Sequence, residues 1–168
     1  LFIDKLPLNI INTGEILRIF PNARFILALR HPMDCVLSCF MQDFKLNDAM
    51  SNFLNLEDTA NLYKNTMELW NQYTSVLKVN YVAIKYEKLI KNFKPNIKII
   101  LKFLNLNWNK SLLSYRKTAI KREKISTPSY YQVIQPIYKH GNQRWKRYKK
   151  HLTNIEPNLS ALIKKYKY

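Results

Sequence analysis

Glycine is scarce in this sequence: Gly14 and Gly141 are the two glycines among 168 residues. A phosphate-binding loop of the GxxxxGK type needs several glycines close together, because the backbone must approach the anion closely. No segment of residues 1–168 meets that requirement. Any phosphate binding by this chain must therefore use other donors.

Cysteine is equally scarce, and its placement argues against a metal site. Cys35 and Cys39 are four residues apart on a predicted helix, and neither has a further cysteine or a closely spaced histidine to complete a tetrahedral set. We expect no bound metal. The two thiols are expected to be reduced packing residues of an intracellular protein.

Acidic residues number 11 against 28 lysines and arginines, which gives a formal net charge of +17. Such a field attracts polyanions of any kind, including nucleic acids, phosphorylated cofactors, acidic membranes and acidic substrates, so charge alone does not choose among them. No apolar run reaches the roughly 18 residues that a bilayer-spanning helix needs. Nothing at the start resembles a signal peptide, and we expect a cytoplasmic protein.

The hydrophobic content, 47% of the residues, suffices for one domain with a core. The first segment, LFID at 1–4, has the pattern of the end of a buried strand with no polar residues before it. We therefore interpret residues 1–168 as a single domain that is truncated at its N-terminus. A short amphipathic helix is predicted at 13–20, with Thr13 as its N-cap.

Two further strands are predicted on either side of a long helix. Arg24–Leu29 is a continuous apolar run, typical of a strand buried on both faces of a parallel sheet, and Tyr81–Ile84 is a second such run. Between them, 56–77 has helical periodicity, so the three segments form a crossover unit with parallel strands. Further helices are predicted from Pro32 and in the C-terminal half, at 94–105, 144–152 and 158–166, with an irregular stretch at 118–138.

The junction that follows Arg24–Leu29 has the features of an anion site. Arg30 ends the strand, a helix begins at once, and Ser38 lies on that helix. Helix N-termini offer free N–H groups and the positive end of the helix dipole, and a guanidinium adds donors that match phosphate oxygens. The alternative is that Arg30 simply pairs with Asp34 on the surface.

Six segments together resemble, in order along the chain, sulfotransferases that use 3′-phosphoadenosine 5′-phosphosulfate (PAPS). They are similar above all to the bacterial type whose catalytic domain often follows tetratricopeptide repeats, a group related to protein-tyrosine sulfotransferases. The segments are IDKLPLN at 3–9, PNARFILALRHPMDCVLSCF at 21–40, YKNTMELW at 63–70, YEKL at 86–89, TPSYYQV at 127–133 and KHGNQRWKRY at 139–148.

The resemblance implies a P-loop-NTPase-like three-layer α/β fold with a parallel sheet and a helix-rich C-terminal half. The family's first strand and its 5′-phosphosulfate loop would precede Leu1, as would the catalytic base. This chain would then hold the 3′-phosphate and adenine half of the PAPS site. As it stands, we expect it to bind the cofactor weakly and to turn over little or nothing.

The resemblance also assigns roles to individual residues. Arg30 and Ser38 would hold the 3′-phosphate, and Lys5 would be a catalytic cation that stabilises the departing phosphate. The remaining cofactor contacts would come from Tyr86 and Tyr130 at the adenine, from the hydroxyls of Thr127 and Ser129, and from a clamp of Lys139, His140 and Gly141. His140 stands where related enzymes have a basic residue that is always charged, so Arg144 is a possible substitute.

The acceptor is not identified by the sequence. A protein tyrosine, a carbohydrate or a small alcohol would each supply the required hydroxyl, and an amine is a further option. Two other interpretations stay open. One is a basic nucleic-acid-binding module, suggested by the charge and by the Tyr- and Lys-rich segment 139–168, and the other is an inactive scaffold derived from the sulfotransferase fold.

Overall fold

The computed structural model describes residues 2–121 and 141–168, apart from the side chains of 118, 119 and 121. Its elements, in chain order, are a 3₁₀ helix at Pro7–Ile10, α1 at Thr13–Ile19, β1 at Arg24–Leu29, α2 at Pro32–Phe40, a 3₁₀ helix at Met50–Leu54, α3 at Leu56–Val76, β2 at Asn80–Lys85, α4 at Tyr86–Lys91, α5 at Phe93–Leu104, a 3₁₀ helix at Lys110–Ser114, α6 at Tyr115–Lys121, a 3₁₀ helix at Arg144–His151 and α7 at Glu156–Lys165.

The two strands β1 and β2 pair in parallel, as predicted, and α3 is the connection between them. The register runs from Arg24 opposite Asn80 to Leu29 opposite Lys85. Parallel strands end at the same edge of a sheet, where ligands of open α/β sheets bind. The residues that follow this pair of strands therefore leave the sheet side by side.

Helix α3 forms because its apolar residues recur at helical spacing and its N-terminus is capped. The Asn55 side chain accepts a hydrogen bond from the Asp58 N–H at 2.8 Å, which satisfies one of the free donors of the first turn. Met67 and Trp70 are buried against β1. Edge-to-face contact of the Trp70 ring with Tyr81, at a centroid distance of 5.1 Å, adds to this packing.

A second hydrophobic cluster joins α2 to the C-terminal part of the chain. Met33, Val36 and Leu37 on α2 are buried against Leu152 and Leu159. Burying aliphatic side chains of this size stabilises a fold by about 1.5–3 kcal/mol each. This packing fixes the segment that follows residue 140 beside the N-terminus of α2.

Two sequence predictions at the N-terminal end are wrong. Residues 2–6 have no regular secondary structure, because no strand of the described chain provides backbone partners for a strand at 1–4. The cap of α1 also differs: the helix starts at Thr13 itself after Asn12, and the Thr13 hydroxyl donates to the Ile10 carbonyl at 2.8 Å. Thr13 is therefore the first helical residue and not the N-cap, and α1 has no side-chain cap hydrogen bond.

Strand β1 is not buried on both faces, contrary to the prediction from its apolar run. Leu27 and Leu29 are buried under α3, whereas Ile26 is 46% exposed and Ala28 is also exposed. In the part of the chain that the structure describes, β1 pairs on one edge only, with β2.

Within the same residues, no helix has the length and apolar character needed to cross a bilayer.

Candidate functional site

Three of the predicted site residues meet where β1 ends. The Arg30 Nη2 atom donates to the Gly141 carbonyl oxygen at 2.6 Å, and the guanidinium carbon lies 5.4 Å from the centre of the Tyr86 ring. Arg30 and Tyr86 are neighbours because Leu29 pairs with Lys85 in the sheet register. The structure thus assembles a cation, an aromatic face and a distant backbone segment at the carboxyl edge of the sheet.

The charge of Arg30 has no acidic partner among the described residues. Its Nε atom is buried and makes no hydrogen bond there, and Asp34 does not pair with it. The alternative interpretation, a surface ion pair between Arg30 and Asp34, is therefore wrong. A partly buried guanidinium without a counter-ion is a chemically suitable donor group for an anion.

Asp34 instead binds the segment that contains Gly141. Its carboxylate is buried and accepts the backbone N–H groups of Gln143 and Trp145, both at 2.8 Å. Gln143 has a left-handed φ of 57°, which is uncommon for residues other than glycine. Two charge-assisted hydrogen bonds from one buried carboxylate fix this turn, and with it the carbonyl that contacts Arg30.

His31 and Glu87 fix the peptide that links Arg30 to α2. The His31 Nδ1 atom accepts the Met33 N–H at 3.3 Å as the N-cap of α2, and the His31 N–H donates to Glu87 Oε1 at 2.8 Å. Burial lowers the pKa of His31, although the carboxylates of Asp34 and Glu87 act in the opposite direction. The unprotonated Nδ1 that the cap requires is therefore the favoured form.

Aromatic rings surround His31. The Trp145 ring stacks on the imidazole at a centroid distance of 4.9 Å and an interplanar angle of 22°. Tyr168 meets the imidazole edge-on at 5.2 Å, and Lys85 Nζ lies 4.3 Å from the centre of the Tyr168 ring. These contacts pack the peptide after Arg30 between aromatic side chains of the C-terminal part of the chain.

Ser38 lies on α2 close in sequence to two cysteines whose pKa values respond to the charge of Arg30. The hydrogen bond between the two thiols raises the pKa of Cys35 and lowers that of Cys39, and the charge of Arg30 opposes the first shift and adds to the second. Residues three and four apart share a helix face. Ser38 is partly exposed, three residues after Cys35 and adjacent to Cys39. Both cysteines are free, and the described residues contain no group of three or more potential metal ligands.

A cavity of about 400 Å³ opens beside the junction. Its lining residues are Glu87, Lys88, Ile90, Lys91 and Asn142. The Oδ1 atom of Asn142 is buried without a hydrogen-bond partner in the described chain, as is Glu87 Oε2. The lining therefore combines two lysines and one isoleucine with two residues that carry unsatisfied polar atoms.

Lys5, the predicted catalytic cation, has different surroundings from Arg30. It is exposed on the irregular segment before Pro7–Ile10, where Asn9 Nδ2 donates to Asp4 Oδ2 at 2.6 Å. No hydrogen bond or ion pair within the described residues fixes the Lys5 ammonium group. Its role as the catalytic cation stays a prediction.

Five of the predicted cofactor contacts lie outside the described residues, in 122–140. These are Thr127, Ser129, Tyr130, Lys139 and His140. Gly141 is described, and its carbonyl oxygen faces Arg30. This contact fixes Arg30 and leaves the role of the Gly141 N–H in the predicted clamp a prediction.

Several residues of the junction carry no local sequence signal for their roles. Asp34, Trp145 and Tyr168 reach it through contacts between segments that are far apart in the chain. Glu87 did have a signal, because it follows Tyr86 directly at the predicted end of the second strand. An arginine ends the neighbouring strand. A carboxylate just after the second strand is therefore a candidate to accept a hydrogen bond from the backbone that follows this arginine.

Comparison with known proteins identifies the family to which the chain is similar. A family model described as the sulfotransferase family matches residues 1–110. An uncharacterised protein of Aquifex aeolicus is 29% identical over 167 residues, which cover 97% of this chain and 21% of that protein. Protein-tyrosine sulfotransferase 1 of Danio rerio is 25% identical over 148 residues, covering 84% of this chain and 41% of the relative, and protein-tyrosine sulfotransferase 2 of Gallus gallus is 23% identical over 154 residues, covering 84% and 39%.

The chain thus spans about two fifths of the length of the two vertebrate relatives and about one fifth of the Aquifex protein. The region matched by the family model includes both strands, the long connection between them and the junction at Arg30. The chain belongs to the sulfotransferase family.

Proposed function

We propose that the junction at Arg30 binds the 3′-phosphate of PAPS, and that the chain carries this half of a sulfotransferase site. The observation that supports it most directly is the state of Arg30: a partly buried guanidinium at the carboxyl edge of a parallel sheet, held by Gly141 and Tyr86, with no acidic partner in the described residues. Such a group binds a phosphate through charge-assisted hydrogen bonds without first losing an ion pair.

The residues around the junction divide the binding task. Arg30 and the Ser38 hydroxyl would hold the 3′-phosphate, and the Tyr86 ring would lie near the adenine. The other proposed contacts are Tyr130 at the base, Thr127 and Ser129 as hydroxyl donors, and Lys139 and His140 as further cations. Gly141 has a positioning part, because its carbonyl oxygen accepts from Arg30.

The proposed activity is transfer of a sulfuryl group, supplied by PAPS, to a hydroxyl or amine of an acceptor. Lys5 would stabilise negative charge on the departing phosphate, which requires that the exposed segment around it approach the junction in the complete site. The names of the Danio and Gallus relatives favour a protein tyrosine as acceptor. A carbohydrate or a small alcohol remains chemically equivalent for the transfer step.

We further propose that residues 1–168 are one part of a cytoplasmic three-layer sulfotransferase domain whose first strand and phosphosulfate loop precede Leu1. The exposed Ile26 on β1, with the exposed Phe2 and Ile3, would then be covered by that part. Alone, this chain would bind PAPS weakly and turn over little. Sequencing the reading frame upstream tests this point, and the absence of a Gly-, Ser- and Thr-rich loop there would support an inactive scaffold instead.

The test of the half-site is calorimetric titration with adenosine 3′,5′-bisphosphate, which needs only the residues around Arg30. We expect Arg30→Ala to weaken binding by about 10- to 100-fold, the range of one or two charge-assisted hydrogen bonds. Lys149→Ala, an exposed cation of the 3₁₀ helix Arg144–His151, is the control and should change affinity less than about 2-fold. Equal effects of the two substitutions, or no binding by the unmodified chain, would overturn the proposal.

Titration of the same two variants with an oligonucleotide tests the second candidate function, nucleic-acid binding. The outer face of the 3₁₀ helix Arg144–His151 exposes Lys146, Arg147, Lys149 and Lys150, a pattern that suits a polyanion. Binding of an oligonucleotide that falls steeply with salt and is weakened as much by Lys149→Ala as by Arg30→Ala would favour that function.

A further inference from the structure

The three residues that follow α7 are fixed against the end of β2. Lys85 Nζ donates to the carbonyl oxygens of Tyr166 and Lys167, the latter at 3.0 Å. The Tyr166 hydroxyl donates to Asn71 Oδ1 on α3 at 3.0 Å. This segment, 166–168, therefore has one defined position beside the Arg30 junction.

Tyr168 extends from that segment into the junction itself. Its ring contacts both the Lys85 ammonium and the His31 imidazole. Its hydroxyl is buried, and burial together with the nearby Glu87 carboxylate raises the pKa of Tyr168. The phenol is therefore protonated and available as a hydrogen-bond donor.

Glu87 supplies the matching acceptor. Its Oε1 atom accepts the His31 N–H at 2.8 Å, while its Oε2 atom is buried and has no hydrogen-bond partner in the described chain. The Tyr168 hydroxyl is in the same condition. Both residues contact His31, Tyr168 through its ring and Glu87 through Oε1. Pairing a buried donor with a buried carboxylate oxygen at the same residue would stabilise both, because leaving both unsatisfied is costly.

We propose that Tyr168 is a positioning residue for anion binding at Arg30. Its hydroxyl donates to Glu87 Oε2, which fixes the carboxylate. The carboxylate fixes the His31 peptide, and that peptide sets the direction in which Arg30 leaves β1. This inference rests on the proposed function only in its consequence for ligand affinity, since the effect on the His31 peptide is independent of any ligand.

Two conservative substitutions on the same segment separate positioning from packing. Tyr168→Phe keeps the ring contacts with Lys85 and His31 and removes the hydroxyl. Tyr166→Phe is the matched control, because it also removes one tyrosine hydroxyl with a hydrogen bond, the one to Asn71, and leaves Glu87 untouched. A purely structural role of the segment predicts similar effects for both variants.

The first measurement is hydrogen exchange of the His31 amide. We expect Tyr168→Phe to accelerate it several-fold, by about 5- to 10-fold, because the carboxylate that accepts this N–H is no longer fixed. Tyr166→Phe should leave it within about 2-fold. An unchanged His31 exchange rate in Tyr168→Phe would overturn the proposal whatever the ligand data show.

The second measurement is titration with adenosine 3′,5′-bisphosphate for Tyr168→Phe, Glu87→Gln and the double variant. We expect about 5-fold weaker binding for each single variant and little further loss in the double variant, since both remove one interaction. Fully additive losses, or equal affinities of Tyr168→Phe and Tyr166→Phe, would contradict positioning. If Arg30→Ala fails to weaken binding, the proposed function is wrong, and the amide exchange still decides the role of Tyr168.

Discussion

Arg30 and Lys5 are two cations to which the sequence gives related roles, yet their surroundings differ. Arg30 is held by Gly141 and Tyr86, and its backbone neighbour is held by Glu87. Lys5 is exposed on a segment without regular structure. The difference shows that contacts from distant segments, and not the sequence position alone, give the Arg30 side chain a defined place.

The comparison also separates two kinds of sequence signal. The signal at Arg30 includes the strand, the helix that follows and the spacing to Ser38, all of which form from residues close in the chain. The signal at Lys5 depends on a preceding strand, and residues 2–4 do not form one. A strand needs a partner, whereas a helix satisfies its own backbone groups.

The largest expected effect is on stability, and it tests how the Arg30 side is held. Asp34→Ala leaves the buried N–H groups of Gln143 and Trp145 without acceptors, and we expect it to lower the free energy of unfolding by about 3 kcal/mol in urea titrations. Asp43→Ala, at an exposed aspartate, is the control and should cost less than about 0.5 kcal/mol.

Asp34→Asn refines that result, because the amide retains one oxygen that can accept from one of the two N–H groups. Its loss should fall between those of the other two variants. If Asp34→Ala is no more destabilising than Asp43→Ala, the segment 141–145 is held by other contacts and the contrast with Lys5 disappears.

A smaller effect is expected from pH, through His31. Because burial lowers its pKa from the ordinary 6.5, the unfolded chain takes up the proton at higher pH than the folded chain does. Stability from this group is therefore complete above about pH 6.5 and is lost as the pH falls through the lowered folded value, by less than about 1 kcal/mol. The facing groups that modify this are Asp34 and Glu87, which raise the pKa, and Lys146, which lowers it.

Urea unfolding at about pH 7.5 and pH 5.5 measures this dependence. His31→Asn keeps an N-cap acceptor and removes the titration, so the difference between the two pH values should shrink. His151→Asn, at an exposed histidine, should leave the difference as it is in the unmodified chain. If His151→Asn reduced the difference and His31→Asn did not, the pH dependence would not come from His31.

The smallest effect is expected at Lys5. Lys5→Ala should change the affinity for adenosine 3′,5′-bisphosphate by less than about 2-fold, because an exposed lysine that is not joined to the junction contributes little. Calorimetric titration beside Arg30→Ala checks this. A loss comparable to that of Arg30→Ala would mean that the N-terminal segment lies over the junction in solution, and the contrast between the two cations would fail.

Much of the local structure could be predicted from the sequence. β1 was predicted at its observed bounds, and α3, which ends at Val76, was predicted to within one residue. The parallel arrangement of β1 and β2 was predicted from the crossover connection and is confirmed. These features depend on hydrophobic periodicity over short stretches, which a single sequence records directly.

The contacts that hold the candidate site could not be predicted in the same way. The partners of Asp34 are backbone groups 109 and 111 residues away, and no side-chain type marks a backbone N–H as a partner. The prediction that β1 is buried on both faces was also wrong, because an apolar run does not indicate which neighbours cover its second face. The roles of Lys5, Ser38 and the residues in 122–140 stay predictions.

The hydrogen bond between Arg30 and Gly141 also has a consequence for the order of folding. The two residues are 111 positions apart, so the junction closes only after a large part of the chain has collapsed around it. The local helices and the pairing of β1 with β2 involve shorter separations and are expected to form sooner. Affinity for anions should therefore be among the last properties that this chain acquires on refolding and among the first that it loses on partial unfolding.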